Sequence, residues 1–360
     1  MGKKKISRLL KITLICVACL VALYIIGGFV SVHLVLKNAF ARVEEGKYWS
    51  RYTTYEDFKT TLPREKLTFM SGENELVGYV YGDKASSAGV VIFVHGFGGS
   101  QDAYLSQIEF LVNRDWCVFA FDGTGVKASG GTSRVSLYQA VYDLEAAIVC
   151  VKGIDVLADK PLALMGHSQG GLAVCAVLNY EAGAAVDAVV SIAGMNTARS
   201  MVEASAKEAP PLLFYLMKPF LVMLDRDDFG GESYTAVEGI NKANIPVMLI
   251  QGTKDVMVTP DEYATTHFTN LITNPNVVTV FCSDEWNSGH ENIVSSESAF
   301  DYLKAANEAL SSYINSLGRP AANDDLRNWA TEYGFDKLKA NETNGVLFGT
   351  INDFLHIFCT

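Results

Sequence analysis

From Lys66 onward, short apolar runs alternate with stretches of helical periodicity. Runs at Leu76–Tyr81, Val90–Val94, Cys117–Phe121, Pro161–Met165, Ala188–Ile192, Val247–Ile250 and Val277–Cys282 are rich in Val, Ile and Phe. They are bounded by glycine or polar turns and predict strands. Leu137–Val151 and Gly171–Tyr180 instead carry apolar residues at helical spacing. This alternation predicts the α/β class, with a mostly parallel sheet covered by helices on both faces. Two segments break the rhythm. Residues 196–244 contain no convincing strand: a charged helical stretch is followed by "APPLLFYLMKPFLVML" and then "DRDDFGG". That pattern predicts a helical cap inserted between two strands. Residues 295–344 are polar and helical, and the apolar run Val346–Phe358 predicts a closing helix.

The N-terminus follows a different rule. Ile12 to Leu36 contains no Asp, Glu, Lys or Arg. As a helix it would be about 37 Å long, against a hydrocarbon core of roughly 30 Å. An uncleaved transmembrane anchor is expected. A cleaved signal peptide is the alternative, because Ala39-Phe40-Ala41 resembles a small-residue cleavage site. The apolar run exceeds a signal h-region, however, and Lys37 intervenes before that site. The expected organisation is a basic tip (1–11), an anchor (12–36), a juxtamembrane segment (37–65) and a catalytic-type domain (66–360). The tip holds Lys3, Lys4, Lys5, Arg8 and Lys11; the far flank holds Lys37, Arg42, Lys47 and Arg51. That small excess, and the absence of acids in the tip, favour a cytoplasmic N-terminus and an extracellular domain in a single-pass cell-membrane protein.

Composition narrows the partners. The 360 residues carry a net charge of -11 with no basic stripe, which argues against nucleic acid. Seven cysteines show no Cys-x-x-Cys pair or metal-ligand spacing, so buried free thiols are expected and no metal site. Nothing in the pattern sets an oligomeric state.

One short stretch raises a question of chemistry. In "LALMGHSQGG" a serine, Ser168, follows a strand candidate and precedes a helix candidate. It is either a nucleophile on a sharp strand-to-helix turn or a small residue in a glycine-rich corner. Gly166 and Gly170 would let such a corner close. A serine hydroxyl needs a base, a group that orients the base, and donors for a developing oxyanion. Each is expected beyond the carboxyl end of a strand. "VHGFGGS" supplies His95, Gly96 and Phe97 after one strand, and the expected donors are the amides of Phe97 and of Gln169, the residue after the serine. His95 is expected to shape this loop. "IQGTKDVMV" supplies Asp255 after a later strand, preferred over Asp225, Asp227, Asp228 and Asp284. Of six histidines, His33 lies in the apolar run, His167 beside the serine, and His267 and His356 in helical stretches. His290, in "SGHEN" eight residues past a strand end, is left as the base.

These loops resemble those of the α/β-hydrolase superfamily, from about Lys66 to the terminus. "FDGTGVKASGG" adds Asp122, Gly125 and Ser129 at positions many members share, with Lys127 where a glycine is common. The chain is most similar to membrane-anchored bacterial hydrolases of the monoacylglycerol-lipase-like and serine-aminopeptidase-like groups. The resemblance implies an α/β-hydrolase fold, acyl transfer through Ser168, His290 and Asp255, no metal or organic cofactor, and a small-molecule acyl substrate. It implies a carboxylesterase or lipase-like enzyme first, a peptidase or amidase second, and a non-catalytic binding protein third. The apolar middle of the cap would either face an acyl chain or pack on the body. The acidic "DRDDFGGE" stretch would suit a substrate amine.

Overall fold

The computed structural model describes residues 8–46, 49–207, 210–228 and 234–359. The basic side chains of Lys3 to Lys5, and the acidic side chains of Asp225, Asp227, Asp228 and Glu232 in the cap, lie outside what it describes.

Helix α1 (Arg8–Ala39) leads into the body and is followed by strands β1 (Arg64–Ser71), β2 (Asn74–Tyr81) and β3 (Gly89–Val94). Helix α2 (Leu105–Val112), strand β4 (Trp116–Asp122), and helices α3 (Gln139–Lys152) and α4 (Asp155–Ala158) come next. Strand β5 (Leu162–His167), helix α5 (Gln169–Ala176) and strand β6 (Ala188–Ile192) form the centre. The eight strands lie in the order β1-β2-β4-β3-β5-β6-β7-β8, with β7 at Val247–Gly252 and β8 at Val277–Cys282. Pairing is parallel from β4 to β8, and β2 is antiparallel to both its neighbours. The α/β-hydrolase architecture expected from the sequence is therefore present.

Strand alternation sorts the core into two layers. Val90, Ile92 and Val94 join the layer that includes Leu144 and Ile148 of α3 and Leu172 of α5. Val91 and Phe93 face the opposite layer with Leu105 and Ile108 of α2. Phe58 and Leu62, from the segment that precedes β1, are buried in this second layer. It also holds Leu347, Phe348 and Ile351 of the closing helix α12 (Gly345–Phe358). Strand β1 is absent from the apolar runs of the sequence because it is an edge strand, "REKLTFMS", with only Phe69 and Ser71 buried.

The two irregular segments are helical. The cap contains α6 (Ala198–Lys207), α7 (Pro211–Asp228) and α8 (Ala236–Ala243). Two of them join the body: α6 through Ala198, with Met201 packed beside it, and α8 through Ala236 and Ile240 in the core. The later segment contains α9 (Glu297–Ser316), α10 (Asn323–Tyr333) and α11 (Lys337–Ala340). Its partner is the stretch after α1: Trp49 sets its ring edge-on against Trp329 and Phe335, and its amide donates to Asn323 Oδ1 at 2.6 Å. The cysteines are free: Cys117, Cys175, Cys282 and Cys359 are buried, Cys150 is half-buried, and Cys16 and Cys19 are exposed on α1.

Candidate active site

Backbones pack closely where β5 turns into α5. A Cβ on Gly166 would sit 2.3 Å from the Gly170 carbonyl oxygen, and one on Gly170 would sit 2.2 Å from that of Val94. Only glycine lets these backbones meet. The turn they close puts Ser168 at φ 58° and ψ -116°. A non-glycine residue held there stores strain on the order of 1–3 kcal/mol. Its amide is held by the Ile192 carbonyl at 2.9 Å.

Three loops at the carboxyl ends of β5, β7 and β8 then converge. Ser168 Oγ donates to His290 Nε2 at 2.8 Å, and His290 Nδ1–H donates to Asp255 Oδ2 at 2.7 Å. Oδ2 also takes the Gln251 amide at 3.1 Å, and Oδ1 takes the Met257 and Val258 amides at 2.8 Å each. The carboxylate is buried and pinned from both oxygens. This hydrogen-bonding selects the imidazole tautomer with Nε2 free to receive a proton.

The loop after β3 lies against the serine. A Cβ on Gly96 would be 3.4 Å from Ser168 Cβ. His95 Nδ1–H donates to the Gly96 carbonyl at 2.8 Å and its Nε2 receives the Gly123 amide at 3.1 Å, so His95 fixes loop shape. Among the described residues, no bond to a protein acceptor occupies the amides of Phe97 and Gln169. Gln169 is the first residue of α5, whose leading amides have no partner within the helix. The site therefore offers N–H donors and the positive end of a helix beside a serine hydroxyl.

Two members of this site were not legible as such in the sequence. Tyr104 receives the Gly96 amide at 3.1 Å and donates to His167 Nδ1 at 2.9 Å. His167 Nε2–H then donates to the His290 carbonyl at 3.0 Å. A buried line of bonds thus ties the Gly96 loop to the backbone of His290. Burial, aided by the charge His290 would carry, holds His167 down to about 4. A histidine depressed in the fold stabilises it above the unfolded value of 6.5 and loses that contribution as pH falls toward 4. The expected loss over this window is about 3 kcal/mol. Urea unfolding of the chain and of His167→Gln in one detergent, at pH 7 and pH 4.5, should show a markedly smaller acid loss in the variant.

The segment around Asp122 holds the next loop. Ser129 Oγ donates to the Asp122 carbonyl at 2.5 Å and receives the Val77 amide at 2.9 Å. Lys127 keeps a left-handed φ of 44°, the conformation a glycine would adopt freely, and pairs with Asp102 at 2.5 Å.

A pocket of about 1580 Å³ opens onto Ser168. Its walls include Phe97, Tyr104 and Val294, together with Arg51 and Tyr52 from the strap after α1 and Leu303 from α9. No described residue of the cap lines it. The apolar middle of the cap, which the sequence left either to face an acyl chain or to pack on the body, packs along α1 through Phe220, and the pocket is walled by the strap and the 295–344 segment.

A strained serine at a strand-to-helix corner, in a sheet of this order, is the arrangement of the α/β-hydrolase fold, which this chain shares. The family described as serine aminopeptidase, S33 matches residues 85–225. The uncharacterized protein YfhR of Escherichia coli O157:H7 is 26% identical over 178 residues, 49% of this chain and 56% of that protein. The protein of the same name from Salmonella typhi is 27% identical over 214 residues, 55% of this chain and 67% of that one. The chain thus matches little more than half the length of the first of these relatives. A Pyrococcus furiosus esterase superposes with a TM-score of 0.55 at 17% identity, covering 89% of this chain and 100% of the other.

Proposed function

We propose that the chain is a serine hydrolase that cleaves acyl esters by a two-step acyl transfer. The observation that carries this reading is the unbroken relay Ser168–His290–Asp255, whose two links measure 2.8 and 2.7 Å. Ser168 attacks the carbonyl carbon while His290 Nε2 takes its proton. Asp255 holds the tautomer and stabilises the charged imidazole. The amides of Phe97 and Gln169 receive the oxyanion. The tetrahedral adduct collapses as His290 protonates the leaving alcohol. Water, deprotonated by His290, then attacks the acyl-enzyme and frees the acid and the serine.

The ester reading is supported by where the domain is held. Helix α1 contains a 30-residue stretch, Leu10–Ala39, long and apolar enough to cross a membrane. We read it as a retained anchor, with the N-terminus cytoplasmic and the domain outside. Residues on both sides of Ala41 support retention: the Phe40 ring is buried against Phe97, and Val43 bridges to Val126. A pocket held at a membrane face meets the acyl esters concentrated there.

One observation favours a second reading, an amidase acting on substrates with a free amine. Glu291 follows the base directly and lies on the pocket wall, where Tyr52 donates to its Oε2 at 2.9 Å. A carboxylate so placed could pair with a substrate ammonium group. Rates on p-nitrophenyl esters of graded acyl length, set beside aminoacyl p-nitroanilides, separate the two. The ester reading expects esters to be turned over at least about 100-fold faster, a difference of nearly 3 kcal/mol in barrier. Faster turnover of the free-amine anilides, lost in Glu291→Gln, would replace it with the second.

A further inference from the structure

Helix α7 packs along α1. The Phe220 ring is buried between the rings of Tyr24 and Phe29, at centroid distances of 5.2 and 5.1 Å. It fills a notch at Gly28, where a Cβ would meet the ring at 2.2 Å. The Tyr24 hydroxyl donates to the Leu216 carbonyl at 2.7 Å. Beyond this contact the N-terminal half of α7 is apolar and open: Leu212 is 75% and Tyr215 71% exposed, with Leu213 and Leu216 also exposed.

The depth of this contact follows from counting. A membrane-crossing helix needs about 20 residues in the hydrocarbon. The apolar stretch of α1 is Leu10–Ala39. Every window of about 20 residues within that stretch contains the positions from about 20 to 29. Tyr24, Gly28 and Phe29 therefore lie in the hydrocarbon whichever part of α1 is used. Anything packed on them lies there too.

We infer that the N-terminal half of α7 is embedded in the hydrocarbon of the bilayer that α1 crosses, as a re-entrant cap helix. The inference rests on reading α1 as a membrane anchor. The sequence of α7 suits the role. From Pro211 to Leu224 it carries one charge, Lys218. An apolar stretch of 10–14 residues or so is too short to span and long enough to re-enter. Helical backbone satisfies its own polar groups, as hydrocarbon demands. Lys218 is costly at the bilayer centre, less so as its long stem carries the ammonium toward the interface. Exposed Leu212 and Tyr215 on a water-facing helix would have no such outlet. The occupant of that face is lipid.

The test uses the full chain in vesicles of phosphatidylcholine and phosphatidylglycerol, with Cys16, Cys19 and Cys150 replaced by alanine. Nitroxide labels are placed in turn at Leu213→Cys and Tyr215→Cys on α7, at Leu20→Cys on α1, and at exposed Leu271→Cys on the body. Circular dichroism confirms the same helical content for each. The expected result is a several-fold higher ratio of oxygen to nickel-chelate collisions at 213, 215 and 20 than at 271. A lipid-like ratio at 20 with water-like ratios at 213 and 215 overturns the inference and leaves the anchor standing. Water-like ratios at all four positions overturn both.

Discussion

Ser168→Ala and His290→Ala should each lower turnover by about 10⁶-fold, and the double variant should go no lower. The proton of Ser168 has one route out, through His290 Nε2 at 2.8 Å. Once either end is gone, the other has nothing to do, so the losses do not add. Alanine adopts the φ of 58° with no more strain than serine, and the corner is held by the glycines around it, so folding should be preserved. A residual rate over water should survive from the Phe97 and Gln169 amides alone. The measurement is single-turnover kinetics on the best ester, with fluorophosphonate labelling alongside. Labelling should vanish in both single variants. Additive losses, or labelling that persists in Ser168→Ala, would make the corner only a glycine-rich turn.

Asp255→Asn should cost about 10⁴-fold in turnover while leaving the fold intact. The reason is specific to how the carboxylate is held. Its Oδ1 takes two backbone amides, from Met257 and Val258. Asparagine must keep its carbonyl oxygen there, because an NH₂ group facing two N–H donors would be repelled. The NH₂ group is then directed at His290 Nδ1 and makes that nitrogen an acceptor. The proton moves to Nε2, which can no longer take one from Ser168. The Gln251 donor, 3.1 Å from Oδ2, then also faces a donor. Steady-state rates and a denaturant midpoint on the same preparation check both halves of the expectation. A loss below about 10-fold would mean that the tautomer is set by something other than Asp255.

Local chemistry explains what was readable in advance. Strands β3 to β7 are visible because central parallel strands are buried on both faces and appear as unbroken apolar runs, while β8, an edge strand with only Cys282 buried, is visible by its Val and Phe content alone. The glycines at 166 and 170 are visible because the corner between β5 and α5 has room for nothing else. Strand β1 escapes because its burial is one-sided and its edge position tolerates Arg64, Glu65 and Lys66. The role of Tyr104 is hidden for another reason. Its partner His167 lies 63 positions away, and only the order of strands brings them together. Arg51 and Tyr52 reach the pocket by the same kind of remote pairing, Tyr52 meeting Glu291 across 239 positions. The apolarity of α7 was visible, but not its partner: an apolar face is equally content against an acyl chain, a core or another helix.

The strap between α1 and the body has almost no slack. The Arg134 guanidinium grips the carbonyls of Ala39 and Ala41, Ala41 bridges to Ser133, and Val43 bridges to Val126. A domain on a long flexible leash samples a hemisphere around its anchor point. This one has a leash of no length. On the proposed reading of α1 as a membrane anchor, the pocket rides at a fixed height and a fixed tilt, and its search is confined to a plane. Encounter then depends on how many substrate molecules occupy each unit of surface, and on how fast they diffuse sideways, and hardly at all on their concentration in the surrounding water.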